Sequence, residues 1–105
     1  MEEILNKANE LGILISKTGA AVKFHEMEAQ VESDSEASLL LKRYNEYAEM
    51  IRVKQESGYE IESFETDEFA RITGSVSSNT LLREYIRSRN RYMEMLIAIN
   101  NALSI

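Results

Sequence analysis

The sequence contains no cysteine and no proline, and it has a single histidine, His25. The lack of cysteine excludes disulfides, thiolate zinc sites, cysteine-ligated iron–sulfur clusters and cysteine nucleophiles. Any metal site or acid–base catalyst would have to use carboxylates, alone or together with His25. The lack of proline favours uninterrupted helices. We therefore expect a protein that is not an enzyme and that holds no cofactor and no metal.

Long hydrophobic runs are also missing. No stretch reaches the roughly 18 consecutive apolar residues that a membrane span needs, and residues 1–6 show no basic region or apolar run of the signal-peptide type. The formal net charge of -6 argues against general nucleic-acid binding, which needs a dense basic surface. We expect a cytoplasmic protein without a membrane or nucleic-acid partner.

The 105 residues, 44% of them hydrophobic, suit one domain over residues 1–105. The charge is unevenly distributed. Residues 1–57 and 58–76 each carry a net charge of -4, whereas residues 77–105 carry +2. A basic end on an acidic chain suits self-complementary, antiparallel pairing of two copies.

Apolar periodicity predicts a first long helix over about residues 2–31. Gly12 and Gly19 leave two alternatives open for it. They can belong to a strip of small residues that lets another backbone approach closely, or the helix can break near Gly19. The apolar seam steps by four and three residues through Ile4, Ala8, Leu11, Ile15, Thr18, Val22, His25 and Ala29.

Capping signals predict a second long helix over residues 34–57. Ser33 and Glu36 fit a capping box at its start, and Gly58 is the residue expected to end it. Residues 59–65 alternate apolar and acidic side chains, which is a strand pattern. Because the sequence offers no second strand to pair with it, we interpret this segment as a connector.

The remaining signals predict one short helix and a third long one. Thr66 and the acids after it indicate a cap for a helix over about residues 66–73, interrupted at Gly74. The stretch Ser77-Ser78-Asn79 offers the cap of a last helix over about residues 79–103.

The fold we expect is therefore all-α, an elongated bundle of three long helices and one short helix that forms an oligomer. The first and last helices are apolar on more than one side, and a small domain has little core with which to cover both sides. The side chains that we expect at an interface with another chain are Ile13, Phe24, Arg83, Arg87, Arg91 and Tyr92.

The three arginines lie four residues apart along the last helix, and Tyr85 and Tyr92 are interleaved with them. Two interpretations are open. The arginines can pair with glutamates within or between subunits, or they can bind RNA or another anion directly. The acidic balance of the chain favours the first interpretation.

Two further groups could carry metal chemistry. His25 could begin a metal site with Glu28 or Glu32, although we favour a histidine at the rim of a helix interface, bonded to a carboxylate or water. The carboxylates within residues 60–68 show no calcium-loop pattern. We interpret that run as a solvated connector followed by a helix N-terminus.

The order and spacing of three stretches resemble the YlbF/YmcA family over nearly the whole chain. Its members are small all-helical bacterial proteins named for control of competence. The resemblance implies a helical homodimer or higher oligomer without enzymatic activity. It rests on Ile4 to Ala29, on Asp34-Ser35-Glu36-Ala37 running to Gln55-Glu56-Ser57-Gly58, and on Val76-Ser77-Ser78-Asn79 followed by Leu82, Tyr85, Leu96 and Ile99.

The resemblance also implies a role. Some members act in a protein complex that influences competence, sporulation and biofilm development and that assists an RNA-cleaving enzyme in mRNA maturation. Some of those members carry cysteines that help to hold iron–sulfur clusters, and this sequence has none. We therefore expect a self-associating regulatory module whose further partners are related family members or an RNA-processing complex.

Overall fold

The computed structural model describes residues 1–104, which contain five α-helices and no strand. The all-α prediction is confirmed, whereas the prediction of three long helices and one short helix is wrong. The helices are α1 (Glu2–Ser16), α2 (Gly19–Ser33), α3 (Ser35–Glu56), α4 (Ser63–Ser78) and α5 (Thr80–Ala102).

The helix expected over residues 2–31 is divided at Lys17 and Thr18. The backbone of Thr18 is extended, and its hydroxyl oxygen accepts a hydrogen bond from the N–H of Ala21 at 3.2 Å. The same hydroxyl donates to the carbonyl of Ile15 at 2.7 Å. One threonine thus satisfies groups at the end of α1 and at the start of α2, so a break near Gly19 is the correct alternative.

The second helix begins and ends close to the predicted positions. Its cap is Asp34 rather than Ser33, because Oδ1 of Asp34 accepts the N–H of Ala37 at 2.9 Å. Gly58 follows the helix with a φ of 76°, as expected for a glycine that ends it.

The short helix expected over residues 66–73 is longer at both ends. It begins at Ser63 because the carboxylate of Glu65 turns back and accepts the N–H of Glu62 at 3.2 Å. Gly74 lies inside α4 and does not interrupt it. Of the predicted cap stretch Ser77-Ser78-Asn79, it is Asn79 that caps α5, accepting the N–H of Leu82 at 3.0 Å.

The helices pack as two pairs that meet at one junction. α2 lies along α5, and α3 lies along α4. The junction is where α2 and α4 end and where α3 and α5 begin. Its buried core takes one residue from each of these four helices, namely Val31, Ala37, Val76 and Leu82.

The described part of the chain is elongated. Its extents are 55 × 35 × 18 Å, and its radius of gyration is 18.0 Å, against about 13 Å for a compact domain of this length. No helix within residues 1–104 combines the length and apolar character that crossing a membrane requires. Among the described helices, α1 contacts only α2, and that contact is small.

Candidate protein-binding surface

α1 presents apolar side chains to solvent. Ile4, Ile13 and Leu14 are exposed over 70%, 55% and 65% of their surfaces. None of the 15 residues of α1, all within the described range, is buried. An isolated helix of this length is only marginally stable in water. The rest of residues 1–104 leaves these apolar side chains largely uncovered.

An apolar cleft opens between α1 and the end of α5. Its volume is about 470 Å³, and Ile4, Ala8 and Leu11 line one side of it. Leu103, directly after α5, lines the other side and is itself largely exposed. The cleft adds to the apolar surface that α1 leaves open.

Two of the expected interface residues, Phe24 and Tyr92, pack against each other. Their rings are nearly parallel, with centroids 5.1 Å apart, and Tyr85 stacks on Phe24 at 5.8 Å. Phe24 and Tyr92 are half-buried, so they join α2 to α5 and keep one edge at the surface. This intramolecular contact was not indicated by the sequence pattern, and their place in an interface stays a prediction.

His25 lies exposed at the edge of this aromatic group. Its ring centroid is 5.9 Å from that of Tyr92, and its Nδ1 is 3.5 Å from a carboxylate oxygen of Glu28. The position is that of a histidine at the rim of a helix pair with a carboxylate beside it. Within residues 1–104, no three histidine, cysteine or acidic side chains are grouped as metal binding would require.

Arg83, Arg87 and Arg91 lie exposed along an open groove on α5 with a volume of about 560 Å³. Among residues 1–104, no carboxylate oxygen comes within 4.0 Å of their guanidinium groups. The expectation that these arginines pair with glutamates is therefore wrong for pairs within the chain. Like charges four residues apart on a helix repel by about 0.2–0.5 kcal/mol a pair. The stripe is thus complementary to acidic groups from another molecule.

The acidic run contains one carboxylate that the sequence pattern placed wrongly in solvent. Glu65 is only 3% exposed, and Nζ of Lys54 donates to its two carboxylate oxygens at 2.6 and 2.7 Å. The hydrogen bond from Lys54 is the main cause that holds the pKa of Glu65 below its ordinary value. The signal that was available is the spacing of Glu62 and Glu65, which suits a capping box.

Other charges of α3 and α4 are also paired within the chain. Arg52 donates to Glu49 and to Glu56, one turn away on either side along α3. Arg71 pairs with Glu68 in α4. These hydrogen bonds hold the pKa values of Glu49 and Glu68 below their ordinary values. Charge pairing therefore distinguishes α3 and α4 from the arginine stripe of α5.

Comparisons with known proteins agree with this architecture. The family described as control of competence regulator ComK, YlbF/YmcA, matches residues 4–105. Among solved structures, that of Bacillus subtilis RicA in complex with RicF is similar to this chain, with a TM-score of 0.75. The similarity covers 96% of this chain and 90% of that chain at 14% identity, so it shows the fold alone. No curated protein gave a significant match.

Proposed function

The chain belongs to the YlbF/YmcA family of competence-control regulators, and from this premise we propose that it is a non-enzymatic regulatory module that works by protein association, first with a second copy of itself. The observation that carries the proposal is the exposed apolar surface of α1. Covering apolar surface contributes about 25 cal/mol for each Å² removed from water. A partner over Ile4, Ile13 and Leu14 would therefore stabilise a helix that is marginal by itself.

Two further facts support protein association. The chain shares its fold with RicA, a protein solved in complex with another protein, RicF. The arginine stripe of α5 also lacks carboxylate partners within residues 1–104, so it can receive acidic groups from outside. Apolar cover for α1 and counter-charges for α5 are both things that a protein partner supplies.

The finer part of the proposal concerns the setting. We place this module in the cytoplasm, in a regulatory complex that affects mRNA processing, with related family members or an RNA-processing complex as further partners. What supports this is the family resemblance. An iron–sulfur role is not part of the proposal, because the chain has no cysteine to bind a cluster.

The molar mass in solution tests self-association. By light scattering at micromolar concentration we expect at least a dimer. Replacing both Ile13 and Leu14 with glutamate should give monomers, because charges would then occupy the apolar surface of α1. Phe24 is the less suitable target, since its replacement would also break the contact between α2 and α5.

A matched control separates lost apolar surface from added charge. Ser38→Glu with Asn45→Glu adds the same two negative charges at exposed positions of α3, and this variant should keep the mass of the parent protein. A parent protein that is monomeric throughout the micromolar range would contradict the proposed self-association.

A second candidate function is direct binding of RNA or another anion by the arginine stripe. The observation that favours it is again that no carboxylate oxygen among the described residues lies within 4.0 Å of the guanidinium groups of Arg83, Arg87 and Arg91. If this candidate is correct, single-stranded RNA should bind with an affinity that falls steeply as salt is raised. Absence of binding at low salt would remove it.

A further inference from the structure

α5 carries a second seam on the side that is exposed to solvent. Its members recur at alternating spacings of three and four residues, the spacing of helices that pair side by side. Met93 and Ile97 are exposed over 48% and 57% of their surfaces, and Ile86 lines the arginine groove, half-buried against the junction core. We call this set the outer seam; it consists of Arg83, Ile86, Asn90, Met93, Ile97 and Asn100.

We propose that the outer seam pairs with the outer seam of a second copy, antiparallel and about a two-fold axis. This rests on the proposed self-association and adds a contact surface on α5 to the one on α1. The register that aligns the two seams places Ile86 opposite Ile97 of the second copy and Asn90 opposite Met93 of the second copy. Because the axis is two-fold, each of these contacts is made twice.

Charge complementarity supports this register. Arg87 and Glu94 directly follow the seam residues Ile86 and Met93, so both flank the seam on the same side. The antiparallel register brings Arg87 of each copy beside Glu94 of the other. Neither side chain has an ion partner among residues 1–104, although both line the same groove. Two otherwise unpaired charges are thus matched twice.

The polar members of the seam also favour antiparallel pairing. A parallel arrangement would place Arg83 against Arg83 of the second copy, and the two cations would repel. The antiparallel register instead places Arg83 opposite Asn100 of the second copy, whose amide oxygen can accept its hydrogen bonds.

The shape of the groove fits the same arrangement. The groove runs along α5 and is bounded by Ser77, near the end of α4. With Asn100 of the second copy opposite Arg83, the second copy's helix stops two residues later, since α5 ends at Ala102. The second copy's α5 would therefore end close to Ser77 and would not displace α4.

A charge exchange tests the register. Arg87→Glu should weaken self-association by roughly tenfold or more, because two attractive pairs become two repulsive pairs. Glu94→Arg should do the same. The double variant, R87E/E94R, should associate like the parent protein. A one-to-one mixture of the two single variants should form a heterodimer, because each then supplies the charge that the other needs.

The matched control is Arg89→Glu, which makes the same charge change at an exposed residue outside the seam and should leave the dissociation constant unchanged. Circular dichroism should show equal helical content for all variants, since the replaced side chains are exposed. Sedimentation equilibrium gives the constants. Single variants that associate as tightly as the parent, or that fail to combine, would overturn the proposed register while leaving self-association intact.

Two other outcomes separate the proposals further. A monomeric parent protein would overturn the pairing together with the proposed self-association. If Arg87→Glu abolished the binding of single-stranded RNA and left the mass unchanged, the arginines would serve RNA, and the pairing would be overturned alone.

Discussion

The α3–α4 pair differs from α1 and from the exposed side of α5 in how far its side chains are covered and paired within the chain. The α3–α4 pair buries Ile72 and closes the Lys54–Glu65 ion pair inside itself. It leaves single apolar residues such as Phe64 exposed, which by themselves indicate no partner. α1 buries no residue within the described range, and the arginine stripe of α5 has no ion partner there.

Under the proposed self-association, the difference separates a part of the chain that is complete by itself from a part that a partner completes. In α3 and α4, arginines and glutamates one turn apart pair locally, and such exposed pairs need no second molecule. In α5, three arginines recur four residues apart, and no carboxylate oxygen among residues 1–104 lies within 4.0 Å of their guanidinium groups. The local pairing of Arg52 and Arg71 therefore contrasts with the arginine stripe of α5, which we propose to be covered by a partner.

The largest expected effect comes from reversing the arginine stripe. Changing Arg83, Arg87 and Arg91 to glutamate together should weaken the oligomer strongly and leave helical content largely intact. The reason is that the three exposed cations lie at the proposed interface, where a charge network is partly desolvated. Light scattering and circular dichroism measure the two properties.

The control for this variant takes its charges from the self-contained half. Lys42→Glu with Arg43→Glu reverses two exposed cations of α3 and should leave the mass unchanged. A triple arginine variant that remained fully assembled, and instead lost an RNA-binding activity of the parent protein, would favour the second candidate function.

A smaller effect is expected from opening the α3–α4 pair. Lys54→Met leaves the carboxylate of Glu65 without its partner, so the thermal midpoint of unfolding should fall by several degrees. Lys42→Met, at an exposed lysine of the same helix, should change the midpoint little. Equal midpoints for the two variants would show that the ion pair contributes nothing to stability.

The same ion pair predicts a dependence on pH. The pKa of Glu65 is lowered from 4.5 in the folded chain, chiefly by Lys54. Its contribution to stability is therefore fully present above that value and is lost as the pH falls through the lower pKa of the folded state. As the pH is lowered from neutral to acidic, denaturant unfolding should show a smaller loss of unfolding free energy for Glu65→Gln than for the parent protein. Parallel curves for the two proteins would be the contrary result.

The smallest effects concern two glycines of the α3–α4 pair. Gly74 lies inside α4, and a Cβ added there meets no described atom within 4 Å. Gly74→Ala should therefore raise the free energy of unfolding by about 1 kcal/mol. Gly58→Ala should lower it by about 1–2 kcal/mol, because Gly58 has a φ of 76°. Urea unfolding measures both changes. Changes in the free energy of unfolding with the same sign for the two variants would contradict this account.

Local signals in the sequence predicted much of the fold. Gly58 and Asn79 mark a helix end and a helix cap by their own chemistry, so no tertiary information was needed. The break at Thr18 was harder to predict, because the apolar seam continues through it without a change of period. Hydroxyl bonds to Ile15 and Ala21 decide between a continuous helix and two helices.

The candidate surface was predicted in part. Spacing alone shows that Arg83, Arg87 and Arg91 share one side of a helix, and the structure places all three along one groove. Spacing could not show that Phe24 stacks on Tyr92, because that contact depends on how α2 lies along α5. Nor could composition show that Glu65 is buried, since its lysine partner lies on another helix.

Hydrogen exchange at two protein concentrations tests the central claim most directly. If a partner copy covers α1, the amides of α1 should be protected at high protein concentration. They should exchange rapidly after dilution below the dissociation constant. The amides of α3 and α4 should be protected equally at both concentrations. Protection of α1 that does not change with concentration would contradict the claim that association completes this half of the molecule.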